Sequence, residues 1–152
     1  MGSWPIYVGK AEASTRKGKT VLAPDDLSGN ALYKRLLNHT ASLEAAKNLE
    51  LSDFHARVLV LKYVWVPMAE TAAIGMYQPL WNTLIDGFGN HDPGKGRYQG
   101  ERPRWDTLHP GRAWADRLKP NSFDAKQIGE EAYTWLAGQA GEHWLIVNEP
   151  VA

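Results

Sequence analysis

The chain has 152 residues, with 17 Lys and Arg against 17 Asp and Glu and no cysteine. That length suits one domain with a sizeable core, and the lack of cysteine excludes a disulfide framework and any thiolate zinc site. No apolar run is long enough to cross a bilayer and no charged-then-hydrophobic leader is present, so a reducing cytoplasm is the expected compartment.

The charge is unevenly spread. Lys10, Arg16, Lys17, Lys19, Lys34 and Arg35 gather in the first segment, and Arg97, Arg102, Arg104, Arg112 and Arg117 gather between Lys95 and Lys119. Beyond Pro120, Asp124, Glu130, Glu131, Glu142 and Glu149 face Lys126 alone. Two basic segments and an acidic tail fit a polyanion-binding face with a solvated back. They fit charged loops without a partner equally well.

In chain order, Trp4 to Val8 reads as a short strand ended by Gly9-Lys10. Ala11 to Pro24 is a polar, basic loop. Ser28 or Asn30 caps a helix through Ala31–His39, whose buried stripe is Leu32, Leu36 and Leu37. Arg35 and His39 stand one turn apart on it and address one site. A second, shorter helix is expected over Ala41–Asn48. Ala56–Trp65 is a continuous apolar run interrupted by Lys62, the pattern of a buried strand.

Val64–Asn82 is the stretch around which the rest is arranged. Pro67 suits the start of a helix, and Glu70 falls in its first turn, where the helix dipole favours a carboxylate. Pro79 stops that helix and Trp81-Asn82 closes the segment. The following run is long, rich in Gly, Pro, Arg and aromatic residues, and without periodicity, as functional loops are. Gly111–Leu118 is expected as a short helix. Phe123–Ala137 is expected as an amphipathic helix burying Ile128, Ala132, Trp135 and Leu136, and Trp144–Val147 as a strand or extended segment. Asn90-His91-Asp92 is read as a turn rather than a metal site, because Gly89 and Pro93 flank it.

Singly, each polar residue named here has an ordinary structural reading: a solvated Glu, a surface Arg–His pair, a strand-end Tyr. In order they resemble something more specific. Tyr7-Val8-Gly9, Arg35-Leu36-Leu37-Asn38-His39, Glu70 and Pro79-Leu80-Trp81-Asn82, followed by Gly87–Gly94, Gly96 and Arg97, resemble the GIY-YIG nucleases, most closely their type II restriction endonuclease branch. The resemblance covers about Trp4 to Leu118. It implies an α/β (α+β) domain, a small antiparallel sheet flanked by helices with a long Arg/Trp-rich loop. The whole of 1–152 would be one such domain, and 87–119 its DNA-contacting loop and short helix.

The implied activity is sequence-specific cleavage of duplex DNA by metal-dependent phosphodiester hydrolysis. Tyr7, Arg35, His39, Glu70 and Asn82 are the implied catalytic set, and Glu70 the ligand of Mg2+ or Mn2+. A lone carboxylate suits magnesium, which keeps much of its hydration. Arg35 presents a planar fork to phosphate oxygens, His39 takes or relays a proton, and Tyr7 positions or deprotonates the water. Asn82 orients the Glu70 region or contacts backbone phosphate. Lys10, Arg97, Arg102, Arg104 and Arg112 are the expected DNA contacts. A homodimer matching a palindromic site is expected, and the resemblance implies a cytoplasmic protein of prokaryotic or phage-like origin. One departure stands out: the family's first half-motif, a Gly-x-Tyr strand, is expected upstream of Pro5, and only Met1-Gly2-Ser3-Trp4 stand there. A DNA-binding member with impaired catalysis, and a ligand- or protein-binding domain using the Trp-rich surface, are the alternatives.

Overall fold

The computed structural model describes residues 5–11 and 30–147. The basic loop expected over 11–24 and the last residues of the acidic tail fall mainly outside them. Among the described residues the fold is helical, and the sole β-type pairing is an isolated parallel bridge between Glu101 and Lys119. The expected antiparallel sheet is therefore corrected. Neither segment read as a strand pairs with a neighbour, and the second ends in a 3-10 turn; a strand exists only through a ladder to a neighbour. Residues 6–8 bond instead to a helix: Trp81 donates its N–H to the Ile6 carbonyl at 2.9 Å. Residues 55–62 have no regular secondary structure and are exposed, with Leu59 and Val60 more than three-quarters accessible.

Helix α1 spans Asn30–Ala45 without a break, so the two helices expected there are one. Thr40 and Ser42 cost a helix interior only a few tenths of a kcal/mol, and the surrounding Ala and Leu carry it through. Its end is held by a distant part of the chain: Lys47 donates its N–H to the Pro110 carbonyl at 2.9 Å. Gly111, at φ +153°, lies so close that a Cβ would stand 1.7 Å from the Ala45 carbonyl oxygen. A side chain there would force the two segments apart.

A single 3-10 turn, Tyr63–Trp65, leads into α2, Val66–Tyr77. Pro67 lies in its first turn, as expected. Glu70 lies beyond that turn, because the helix starts at Val66, so the dipole acts on it less strongly than the sequence suggested. Gln78 closes α2 in the left-handed conformation, φ 41°, its N–H donated to the Ile74 carbonyl at 2.8 Å, and Pro79 prevents continuation. Leu80–Thr83 forms the short α3.

The core collects on α3, the loop after it and the two helices that follow. α4 spans Arg104–Leu108 and α5 Ala125–Val147. Trp81, Ile85, Phe88, Trp105, Ile128 and Ala132 are buried together with Leu43 of α1. Trp81 meets Trp105 edge-on, with ring centroids 5.7 Å apart at 87°, an orientation favoured by the ring quadrupoles. α4 lies where no helix was expected, while Gly111–Leu118 forms only a 3-10 turn over Ala115–Arg117. Asp124 and Gln127 cap α5 reciprocally: Gln127 N–H to Asp124 Oδ1 at 2.8 Å, and Asp124 N–H to Gln127 Oε1 at 3.0 Å. The backbone of Trp144–Val147 continues α5 rather than forming an extended segment, and Leu136 is exposed rather than buried. No described helix is long and apolar enough to cross a membrane.

Candidate active site

Tyr7, Arg35 and His39 come together between the N-terminal segment and α1. Arg35 Nη2 donates to Tyr7 Oη at 2.9 Å. The Tyr7 and His39 rings meet edge-on at 5.1 Å. The helical spacing expected from the sequence thus places Arg35 and His39 on one side of α1, facing the same phenol. Arg35 Nε is buried without a hydrogen-bond partner, a cost that an acceptor ligand at the guanidinium would remove.

Tyr7 is held there by α3. Asn82 accepts the Val8 N–H at 2.7 Å on Oδ1 and donates Nδ2 to the Val8 carbonyl at 2.8 Å. Its amide is thereby committed to the backbone beside Tyr7. Asn82 orients the Tyr7 segment, which is not the contact with the Glu70 region or with phosphate that the sequence suggested.

Burial, the Arg35 guanidinium and His91 lower the His39 pKa from 6.5 to about 4. The imidazole is therefore neutral at pH 7, with one nitrogen a donor and the other an acceptor. Phe88 produces much of that enclosure, its ring stacked on His39 at 4.7 Å and 14°, and edge-on to Tyr7 at 4.9 Å. The loop continues at Gly89, where a Cβ would lie 2.7 Å from Tyr7 Oη and 2.9 Å from Arg35 Nη2. A side chain at this position would push the Tyr7 and Arg35 side-chain ends aside. Phe88 and Gly89 were not picked out from the sequence as site residues; the signal was Gly-Phe-Gly-Asn directly after the helix carrying Asn82.

Glu70 pairs with Lys10, three residues beyond Tyr7 in the chain, the Nζ lying 3.7 Å from Glu70 Oε2. Its carboxylate is half-buried and no group of three or more His, Cys, Asp or Glu side chains converges among the described residues. A single accessible carboxylate does not form a closed metal cage, but it fits a hard cation that keeps water and takes further oxygens from a phosphate. Asn90-His91-Asp92 lies between the turns at 86–89 and 95–96, with Asp92 Oδ1 accepting from Gly94 N–H and Tyr98 Oη, each at 2.8 Å.

The expected DNA contacts separate sharply. Arg97 is exposed and lies on a groove of about 400 Å3 that runs past Gly89, Asn90, His91 and Trp114. Arg102 donates Nε to the Ala115 carbonyl at 3.0 Å and pairs with Asp116 at 3.4 Å. Arg104 pairs with Glu131 and lies over the Phe123 ring. Arg112 is 6% exposed, bonded through Nε and Nη2 to Asp106 and lying over the Trp105 and Trp114 rings. Its expected place on a DNA-contacting surface is corrected, since a buried guanidinium with protein partners has no donors left for phosphate.

Residues 1–136 match the family model described as the Eco29kI GIY-YIG domain. No curated protein matches the chain.

Proposed function

Because the chain belongs to the Eco29kI GIY-YIG domain family, a type II restriction endonuclease family, we propose that it cleaves duplex DNA at a specific sequence by metal-dependent phosphodiester hydrolysis. The observation that carries this reading is the Tyr7–Arg35–His39 cluster: a phenol, a guanidinium with an unpartnered buried N–H, and a neutral imidazole. Phosphodiester hydrolysis requires an oriented water, cationic hydrogen bonds to the phosphate and a route for a proton.

In this reading Arg35 binds the non-bridging oxygens of the scissile phosphate through its planar fork. Tyr7 Oη, already accepting from Arg35, keeps its own hydrogen to orient the attacking water. His39, neutral near pH 7, accepts and passes on the proton that this water loses. Asn82 keeps Tyr7 in register, as a positioning residue. Glu70 would hold Mg2+ or Mn2+, which supplies charge neutralisation at the phosphate when bound. Arg97 and Lys10 are the expected DNA contacts that remain accessible enough to meet a backbone. A homodimer would match the two-fold symmetry of a palindromic site.

Incubating mixed plasmids with magnesium, with manganese and without either tests the reading. Discrete fragments that depend on the metal and vanish in Glu70→Ala support it. Salt-sensitive DNA binding in calcium without cutting would instead support a DNA-binding member of the family. The absence of DNA affinity at low salt would leave a ligand- or protein-binding domain.

A further inference from the structure

Arg112 lies outside the Tyr7–Arg35–His39 cluster, yet it holds the backbone that closes it. Nε donates to Asp106 Oδ1 at 2.6 Å, and Nη2 to Asp106 Oδ2 at 2.5 Å. Nη2 also donates to the Gly87 carbonyl at 2.9 Å, and Nη1 to the carbonyls of Phe88 at 3.2 Å and Asn90 at 3.1 Å. A longer approach, 3.5 Å, joins Nη1 to Ser42 Oγ on α1. Every N–H of the guanidinium is engaged. The guanidinium carbon lies over the Trp105 and Trp114 rings at 4.5 and 4.7 Å.

A buried ion pair is weak evidence for stability, since well-packed apolar residues of similar volume often replace it without loss. What no apolar pair reproduces is the planar array of donors facing three carbonyls of one short loop. That loop is the one whose Phe88 ring covers His39 and Tyr7, and whose Gly89 backbone passes beside Tyr7 Oη and Arg35. Where the loop sits therefore decides whether the cluster is enclosed.

We propose that Arg112 is a positioning residue of the active site: by holding the carbonyls of Gly87, Phe88 and Asn90, it seats Phe88 and Gly89 against Tyr7, Arg35 and His39. The catalytic part of this inference rests on the nuclease reading above; the seating of the loop does not.

Two variants test it. Arg112→Lys keeps the charge but loses the planar fork. The double variant Asp106→Leu with Arg112→Met removes both charges from the interior and guards against misfolding of the first. Histidine resonances of the folded proteins are followed by NMR through a pH titration. The groups facing His39 are Arg35 from its own helix, the Tyr7 phenol, the Phe88 ring and His91 from the loop.

With Phe88 unseated, the His39 titration is expected to rise by at least about one unit toward its ordinary value, since burial is the main cause of its depression. Single-turnover cleavage is expected to slow at least about tenfold, while DNA affinity in calcium changes less than about threefold. An unchanged His39 titration in the folded double variant overturns the proposal, whether or not the wild-type protein cuts DNA. A shifted His39 with an unchanged cleavage rate overturns its catalytic part. Failure of the wild-type protein to cut any DNA counts against the nuclease reading alone.

Discussion

Two regions of this molecule treat their apolar residues in opposite ways. From Pro79 to Ala132 they form an aromatic core around Trp81, Phe88 and Trp105, with the Arg112–Asp106 pair set inside it. From residue 55 to Tyr77 they face outward: Val58, Leu59, Val60, Val64, Trp65, Met68 and Met76 are all more than half accessible. α2 finds its main neighbour in the 3-10 turn that leads into it. The candidate site straddles the two. Tyr7, His39 and Asn82 are fastened to the packed region through Phe88 and α3, whereas Glu70 rides on the sparsely packed one. Under the proposed function the difference separates two tasks: the first region would set geometry, and the second would deliver a carboxylate whose position it constrains much less.

The comparison is open to direct attack. Glu70→Ala is expected to have the largest effect on activity, lowering magnesium-dependent cleavage about a thousandfold, or about 4 kcal/mol. It should leave the urea midpoint nearly unchanged, because its helix contributes little to the core. A large loss of stability in this variant would break the division of tasks. For stability the largest effect is expected from Trp105→Ala, about 3–5 kcal/mol by urea denaturation, since Trp105 is fully buried.

Asn82→Ala is expected to cost about 1–3 kcal/mol, because it leaves the Val8 N–H and carbonyl unpaired. Cleavage should fall with it, and recovery in Asn82→Gln would show that the register of Tyr7 is less exacting than the geometry indicates. Leu59→Ser is expected to change stability by less than about 0.5 kcal/mol. A cost above about 2 kcal/mol there would mean that the 55–62 segment is covered in solution, for instance by a second copy of the chain.

Acidity sharpens the comparison on the packed side. His39 and His109 are both depressed to about 4 by burial, with Arg35 and His91 adding to the effect at His39. The unfolded chain then binds more protons than the folded one between about pH 4 and 6.5. Stability therefore rises with pH across that window and is lost as pH falls through it. Urea midpoints measured from pH 7 down to pH 4 should decline, and less steeply in His109→Gln. An equal slope in that variant would show that His109 does not carry its share.

The grouping of Tyr7, Arg35 and His39 was legible in the sequence, and less of the fold was. The i, i+4 spacing of Arg35 and His39 predicted a shared face because a helix places such residues together whatever packs on them. Pro67 and Pro79 marked the ends of α2 closely, since a proline constrains its own neighbourhood. The sheet failed for the opposite reason. A β-branched apolar run reports a preference for extended backbone, but it says nothing of whether a neighbouring strand is there to complete a ladder. The Arg-rich loop misled similarly: Arg102, Arg104 and Arg112 look alike in sequence, and only the positions of Asp116, Glu131 and Asp106 show that their charges are already engaged. α4 was missed because a five-residue helix is too short to display a period.

The clamp that Asn82 places on Val8 has one more consequence. The side-chain amide presents an acceptor and a donor to Val8, the same pair that a neighbouring strand would offer to that residue, so a single side chain imitates one rung of a β-ladder. Tyr7 is thus aimed by a helix. Along an extended chain a slip of one residue turns every side chain to the opposite face. If Asn82 gripped Tyr7 or Gly9 in place of Val8, the phenol would point away from Arg35. The amide therefore works as a reading frame, fixing which residue of Ile6-Tyr7-Val8-Gly9 faces the guanidinium.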